Sequence, residues 1–483
     1  MKIRRAALGT AIALLLPFAG NAVAQTATSS DDNADLRREI EEQKQRLGVL
    51  ERKLEIQDEN AKAAAASQPK ITANASRFQI ASADGANFVR LRGTLFADSR
   101  TYGGDSVPET ADTLLLRSVR PTIEGTFGNI FDFRFTPDFG SGKTIIVDAF
   151  AAARFKPGFV VTAGKFKPSV GLERLQTEGD LRSMERGLPT LLVPNRDLGV
   201  QLSGEFAGGA FAYQVGYFNG VTDGNSSDAL PNPDVENDTG GDYAARVFFQ
   251  PFVNSDNFNL RGLGVGIGST WQDLPGVATN PYLSAYRSQG QQSVFAYRSN
   301  TATGATPNNA TYANGERLRL APQLYFYRGS FGFLGEYTQV KQDVSRNVTG
   351  GIRSATLTNA AWQGQLAWFV TGEEESYRGF TPRSTWQPGS SSNGAGGWGA
   401  LELVARYQVL DVDDDAFTGG ADSFANPLTA ITKETSYGVG VNWYPWNTVK
   451  LSIDYDQTSF DGGALTGDRA DEKAMFTRFA INY

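Results

Sequence analysis

The chain has 483 residues, 40% of them hydrophobic, a formal net charge of -7, and neither histidine nor cysteine. Without cysteine there are no disulfides, thiolate nucleophiles or cysteine metal sites, and without histidine the commonest metal ligand and the imidazole base are missing. Most hydrolase chemistry is thereby excluded, and no cofactor, metal or nucleic-acid partner is expected. With 53 glycines, 17 tyrosines and 31 phenylalanines against 3 methionines, and apolar residues that alternate rather than form helical stripes, the composition suits an all-β membrane protein.

The opening "MKIRRAALGTAIALLLPFAGNAVAQ" places Lys2, Arg4 and Arg5 before an apolar run, then Ala22-Val23-Ala24 before Gln25. Residues 1–24 read as a cleaved export signal, because the run is shorter than the ~20 residues a spanning helix needs. No later run is long enough either, so membrane entry would require a closed barrel. Residues 25–76 read as a periplasmic coil and linker. Leu36, Ile40, Leu47, Leu50 and Leu54 form a heptad seam interrupted by Gln43 and Gln57, too narrow for a lone helix and suited to self-association. "SQPKITANAS" has linker composition.

From residue 77 to 483 a barrel is expected. In "VRLRGTLFADSR", Val89, Leu91, Leu95 and Ala97 lie on one face, and Arg90, Arg92, Thr94, Phe96, Asp98 and Arg100 on the other. "IFDFRFTPDF" and "VKLSIDYD" repeat the alternation. Sixteen candidate strands follow, near 88–102, 113–127, 130–139, 145–155, 159–168, 198–206, 210–219, 242–252, 260–272, 317–327, 331–342, 356–371, 398–412, 435–445, 448–460 and 474–483. Terse connections follow even strands and longer polar ones follow odd strands, the asymmetry of outer-membrane barrels. One connection on the short side, from Glu373 onward, is long.

The fifth strand carries Lys165 and Lys167, and the loop after it is long. It gathers Arg174, Arg182, Arg186 and Arg196 with Glu173, Glu185 and apolar residues. A loop both cationic and partly apolar suits the lumen better than external water. Alternation turns Arg90, Arg92, Arg100, Arg120, Arg134, Arg154, Lys165, Lys167, Arg246, Arg317, Arg319 and Arg406 inward, against carboxylates such as Asp98, Glu124, Asp148 and Glu402. Arginine's planar fork suits oxyanions.

"LLRSVRPTIEGTFGNIFDFRFTPDFGSGKTIIVDAFAAARF", "AGKFKPSVGLERLQTEGDLRSMERGLPTLLVPNRDLGVQL", "DYAARVFFQPF", "GALELVARYQVLDVDDD" and "YGVGVNWYPWNTVKLSIDY" resemble segments of the phosphate-selective porins O and P, over almost everything after Phe88. The resemblance implies a homotrimer of sixteen-stranded barrels among outer-membrane lipid and lipopolysaccharide, passing phosphate or polyphosphate through a constriction made by an inward third loop. It maps the constriction onto Arg117, Asp148, Arg174 and Arg186. Two positions depart from the family pattern, Ser118 and Thr94, where arginines are expected. Strict alternation from Arg120 would turn Arg117 outward, so an inward Arg117 requires a bulge near Ser118.

Other readings weigh less. "DVDDD" and "DGNSSD" lack the spacing of a calcium loop and read as solvated acids. "GLGVGIG" sits within a strand with no helix after it, unlike a dinucleotide fingerprint. A general or sugar-selective porin, with tyrosine and tryptophan as stacking rails, is one alternative function; a lipid hydrolase is another, for which the sequence offers no candidate dyad.

Overall fold

The computed structural model describes residues 30–74, 77–103, 112–229, 240–256, 259–303, 307–388 and 397–483. The export-signal reading lies outside them. Two compact units divide the chain at Gln68 and Pro69.

The first unit is one helix, α1 (Ser30–Ser67). Its seam residues Leu36, Ile40, Leu47, Leu50 and Leu54 are all exposed among the described residues. None of the described helices is long and apolar enough to cross a membrane.

The second unit is a closed antiparallel barrel. Its strands are β1 (Phe88–Gly103), β2 (Thr113–Phe127), β3 (Phe131–Asp138), β4 (Ile145–Lys156), β5 (Phe159–Phe166), β6 (Asp197–Phe206), β7 (Phe211–Phe218) and β8 (Asp242–Phe249). They continue with β9 (Leu263–Leu274), β10 (Thr311–Arg328), β11 (Phe331–Val348), β12 (Gly351–Phe369), β13 (Ala400–Asp411), β14 (Ile431–Trp446), β15 (Val449–Gly462) and β16 (Glu472–Asn482). Each pairs with its sequence neighbour, and β16 closes on β1 from Lys473 opposite Gly103 to Asn482 opposite Thr94. The expected sixteen strands are therefore present, and closure removes the sheet edge that lipid could not satisfy.

Two expectations are corrected, and one long connection is located. The segment read as linker contains a strand, Lys70–Asn74, which pairs with Arg77–Ala81; that strand in turn pairs with Phe88–Leu91 of β1. Strands β10, β11 and β12 run to 18, 18 and 19 residues, so the connection after β11 shrinks to a turn at Asn347 to Ile352 rather than a long polar loop. In the long connection after β12, the described residues 370–388 reach back into the lumen. Tyr377 donates its hydroxyl to the Leu172 carbonyl at 2.6 Å, inside the barrel.

Outside, the barrel is a hydrocarbon surface with aromatic rims. Phe127, Phe131, Phe155, Phe159, Phe206 and Phe249 are exposed beside the short turns. Tyr217, Tyr243 and Trp271 stand side by side on three neighbouring strands nearer the long loops, with ring centroids 5.1 and 6.1 Å apart. Two such bands flanking an apolar belt match the two membrane interfaces.

Candidate functional site

The third loop, residues 167–196, crosses the lumen and fastens to the opposite wall. Its leucines find apolar inner-wall partners: Leu172 packs with Leu334 and Tyr325, Leu188 and Leu192 with Leu357 and Leu410, and Met184 with Phe476. Each such side chain, fully buried, contributes roughly 1.5 to 3 kcal/mol. Hydrogen bonds then fix the backbone. The Leu172 and Glu173 amides donate to the Glu336 carboxylate at 2.6 and 3.2 Å, Met184 N–H to Asp454 at 2.6 Å, and Leu188 N–H to Gln408 at 2.9 Å. Wall side chains donate to the loop's carbonyls: Arg406 to Glu185 at 2.9 Å, Asn442 to Arg182 at 2.7 Å, Lys450 to Leu181 at 2.7 Å and Arg478 to Met184 at 2.7 Å. The consequence is electrostatic. Two carboxylates of the far wall, Glu336 and Asp454, are occupied by loop amides, and the cations of β1 to β5 stand on the other side of the lumen.

Those cations descend the barrel in steps. Toward the long-loop end Arg100, Arg117 and Arg478 share Glu185, at 2.8, 3.5 and 3.6 Å, and Arg478 also pairs with Asp98 at 2.7 Å. Below them Arg120 bridges Asp138 at 2.7 Å and Glu178 at 2.6 Å. Toward the short-turn end Arg90, Arg92 and Arg134 share one carboxylate, Glu124, at 3.4, 3.6 and 2.8 Å. Positive charge exceeds negative where one carboxylate serves three arginines.

Arg117 faces inward, as the resemblance requires, and the register explains how. Ser118 lies opposite Phe96 and Leu116 opposite Ala97, so Arg117 is an extra residue in β2. The bulge packs on Gly140, where a Cβ would come within 2.7 Å of the Arg117 carbonyl oxygen. Ser118 is fully buried and donates to Glu178 at 3.2 Å. Asp148 accepts from Arg196 at 3.1 Å.

A cavity of about 490 Å³ opens between this basic wall, the loop from Leu175 to Asp180, and the short-turn end at Asn447. Seven cationic side chains line it against four carboxylates. Arg92, Arg120, Arg134, Lys167 and Asp148 are among the lining residues; Arg174 and Arg186 are not. Arg174 is buried and donates to the Thr190 carbonyl, and Arg186 donates to the carbonyls of Glu173 and, at 2.9 Å, Gln176. Arg154 pairs with Asp132 at 2.6 Å near a short turn, and Lys165 pairs with Asp228 of the loop after β7.

Most cations expected to line the pore thus pair with a carboxylate of the wall or of a loop; Arg246, Arg317 and Lys167 have none within 4 Å among the described residues, Arg246 and Arg317 being held instead by Gln323 and Gln272. Lys167 lies beside Arg186. Lys167 donates to the Gln176 carbonyl at 2.6 Å, the same oxygen that Arg186 reaches. Neither they nor Arg174 nor Lys450 has a carboxylate ion pair within 4 Å among the described residues. Burial, with the Arg186 and Arg196 guanidinium groups, pushes the Lys167 ammonium well below its ordinary value, and the same causes push Arg174 down. Of these four cations Lys167 and Lys450 line the cavity, and a cation without a carboxylate at its wall invites an anion.

Sequence reasoning singled out neither Lys450 nor Arg478, although the alternation of β15 and β16 turns both inward. Nor could it find Glu178 as the partner of Arg120 and Ser118, since only the inward fold of the loop joins them. Among the described residues there is no group of three or more acidic side chains that could hold a metal ion.

Comparison with known proteins agrees with this geometry. The model of the family described as phosphate-selective porin O and P matches residues 89–483. An uncharacterized protein of Caulobacter vibrioides is 26% identical over 73% of the chain and 65% of its own length, and porin O of Pseudomonas aeruginosa is 23% identical over 64% of the chain and 66% of its own length. The matched part of the chain therefore spans just under two thirds of each relative. The outer membrane channel DcaP of Acinetobacter baumannii superposes with a TM-score of 0.50 at 11% identity, over 82% of the chain and 98% of that channel, a likeness of fold alone. The chain is an outer-membrane β-barrel that belongs to the phosphate-selective porin O and P family.

Proposed function

We propose that the protein is a passive, water-filled channel for anions, with the third loop as its constriction, and that it works as a homotrimer. One observation carries the reading. The far-wall carboxylates Glu336 and Asp454 are occupied by amides of the third loop, while Lys167, Lys450 and Arg186 are held only by backbone carbonyls.

An anion entering from outside meets the arginines around Glu185, then Lys167 on the cavity wall, then the arginines around Glu124. At 4 Å and an effective dielectric of about 20, one unit charge attracts another by ~4 kcal/mol, enough to replace part of an ion's hydration. Release also matters. Asp148, Glu178 and Asp180 line the same cavity and lower the depth of the well, so an ion leaves as readily as it enters. Phosphate is among the ions proposed to pass, on the strength of the family. Ser118 and Thr94 stand where the family pattern has arginines, and Glu178 accepts from Ser118, so the grip on phosphate is weaker than that pattern implies.

The zero-current potential of single channels in graded KCl tests the reading. An anion-selective sign is expected. A cation-selective or null potential overturns it.

A further inference from the structure

The cavity has a feature that inorganic phosphate has no use for. Three of its cations lie over aromatic rings that line it too: Arg134 over Phe150 at 5.8 Å, Arg182 over Phe380 at 5.9 Å and Lys450 over Tyr444 at 5.4 Å. Phe150 and Phe380 are only partly buried. Val147 and Leu175 add apolar surface to the same lining.

From this pairing of charge and ring we infer that the cavity is a binding site for organic anions with a flat apolar body, aromatic carboxylates above all. The inference rests on the anion-channel reading and names the substrate class of that site. Arg134 and Arg182 are already paired with Glu124 and with Glu375 and Glu402. The charge for a carboxylate therefore comes from Lys450 and Lys167, which have no carboxylate within 4 Å among the described residues, while the partly buried Phe150 and Phe380 give the attached ring a surface on which to lie. Seven cations against four carboxylates draw phosphate as well, so the ring contact is what sets an aromatic carboxylate apart. The volume, about 490 Å³, accommodates a ring with its carboxylate and accompanying water.

The test is block of single-channel chloride current by benzoate, acetate and inorganic phosphate in turn. Benzoate and acetate carry the same charged group, so their ratio isolates the ring. Benzoate is expected to block at about tenfold lower concentration than acetate, the effect of one good ring contact, and more strongly than phosphate. Phe150→Leu and Phe380→Leu should each bring the ratio toward one, whereas Phe331→Leu, on the outer surface, should leave it. Equal block by benzoate and acetate, or a ratio that survives both inner substitutions, overturns the inference. The zero-current potential on the same bilayers separates the two claims: an anion-selective channel with equal block contradicts the ligand class alone, and a cation-selective channel contradicts the channel reading as well.

Discussion

Arg182 of the third loop and Glu375 of the connection after β12 meet at 3.0 Å inside the barrel, although one segment enters from the long-loop end and the other from the short-turn end. The same guanidinium reaches Glu402 of β13 at 3.1 Å and lies over the rings of Phe369 and Phe380. Gln176 and Arg182 also donate to the carbonyls of Tyr377 and Ser376, at 2.8 and 3.0 Å. Two connections are thereby locked into one body across the lumen. Removing the guanidinium leaves the buried Glu402 carboxylate without its cation and the Glu375 carboxyl without its donor, at a cost of about 3 to 5 kcal/mol. Arg182→Ala should therefore lower the melting temperature and raise open-channel current noise, measured by thermal denaturation in detergent and by single-channel recording.

The same contact is sensitive to pH. Burial pushes the Glu375 carboxyl up from its ordinary 4.5 to about 9, offset in part by Arg182 and reinforced by Glu402. A carboxyl with a raised value in the closed structure keeps its proton there and loses it on opening. The contact is fully stable below the ordinary carboxyl range and weakens as pH climbs toward about 9. Hydrogen-exchange protection of the Glu375 amide, which donates to the Gly329 carbonyl at 2.7 Å, should fall between about pH 6 and pH 9 after correction for intrinsic exchange. Glu375→Gln should flatten that dependence.

Ser118→Arg probes the position where the family pattern has an arginine. Glu178 lies within reach of Ser118 at 3.2 Å, so the new guanidinium will pair with it and cancel its repulsion of incoming phosphate. A charge-assisted contact contributes roughly 1.5 to 3 kcal/mol, and part of it is taken by Glu178. Phosphate should then block chloride current at about tenfold lower concentration than in the native channel. Arg117→Ala should shift block the other way.

Assembly gives a fourth expectation. The exposed stripe from Leu36 to Leu54 is proposed to pair with the same stripe of sister chains as a periplasmic coil. Deleting residues 31–62 should lower the heat resistance of the oligomer in detergent while leaving the barrel's β circular dichroism intact. An unchanged oligomer melting profile would sink the coil's role.

The barrel was legible because each strand separates lipid from water and so alternates, as in "VKLSIDYD", where Lys450, Ser452, Asp454 and Asp456 all turned out to face inward and buried. The short hairpin at Lys70–Asn74 was not, since both of its strands are largely exposed and carry no periodic burial to read. The bulge at Arg117 surfaced only as a conflict between alternation and resemblance. What the sequence withheld is long-range pairing: that Arg120 is neutralised by Asp138 and Glu178, that Lys167 and Arg186 are not neutralised, and that Tyr377 reaches back to Leu172. Each depends on where two loops end up, and no local pattern encodes that.

The most direct measurement is the zero-current potential in graded KCl of Lys167→Glu and Arg186→Glu channels beside the native one. These two cations have no carboxylate pair among the described residues and share one carbonyl oxygen, and in a narrow low-dielectric passage each fixed charge acts strongly on passing ions. The account predicts an anion-selective native channel and a shift toward cations in both variants. Native potentials retained by both would contradict it.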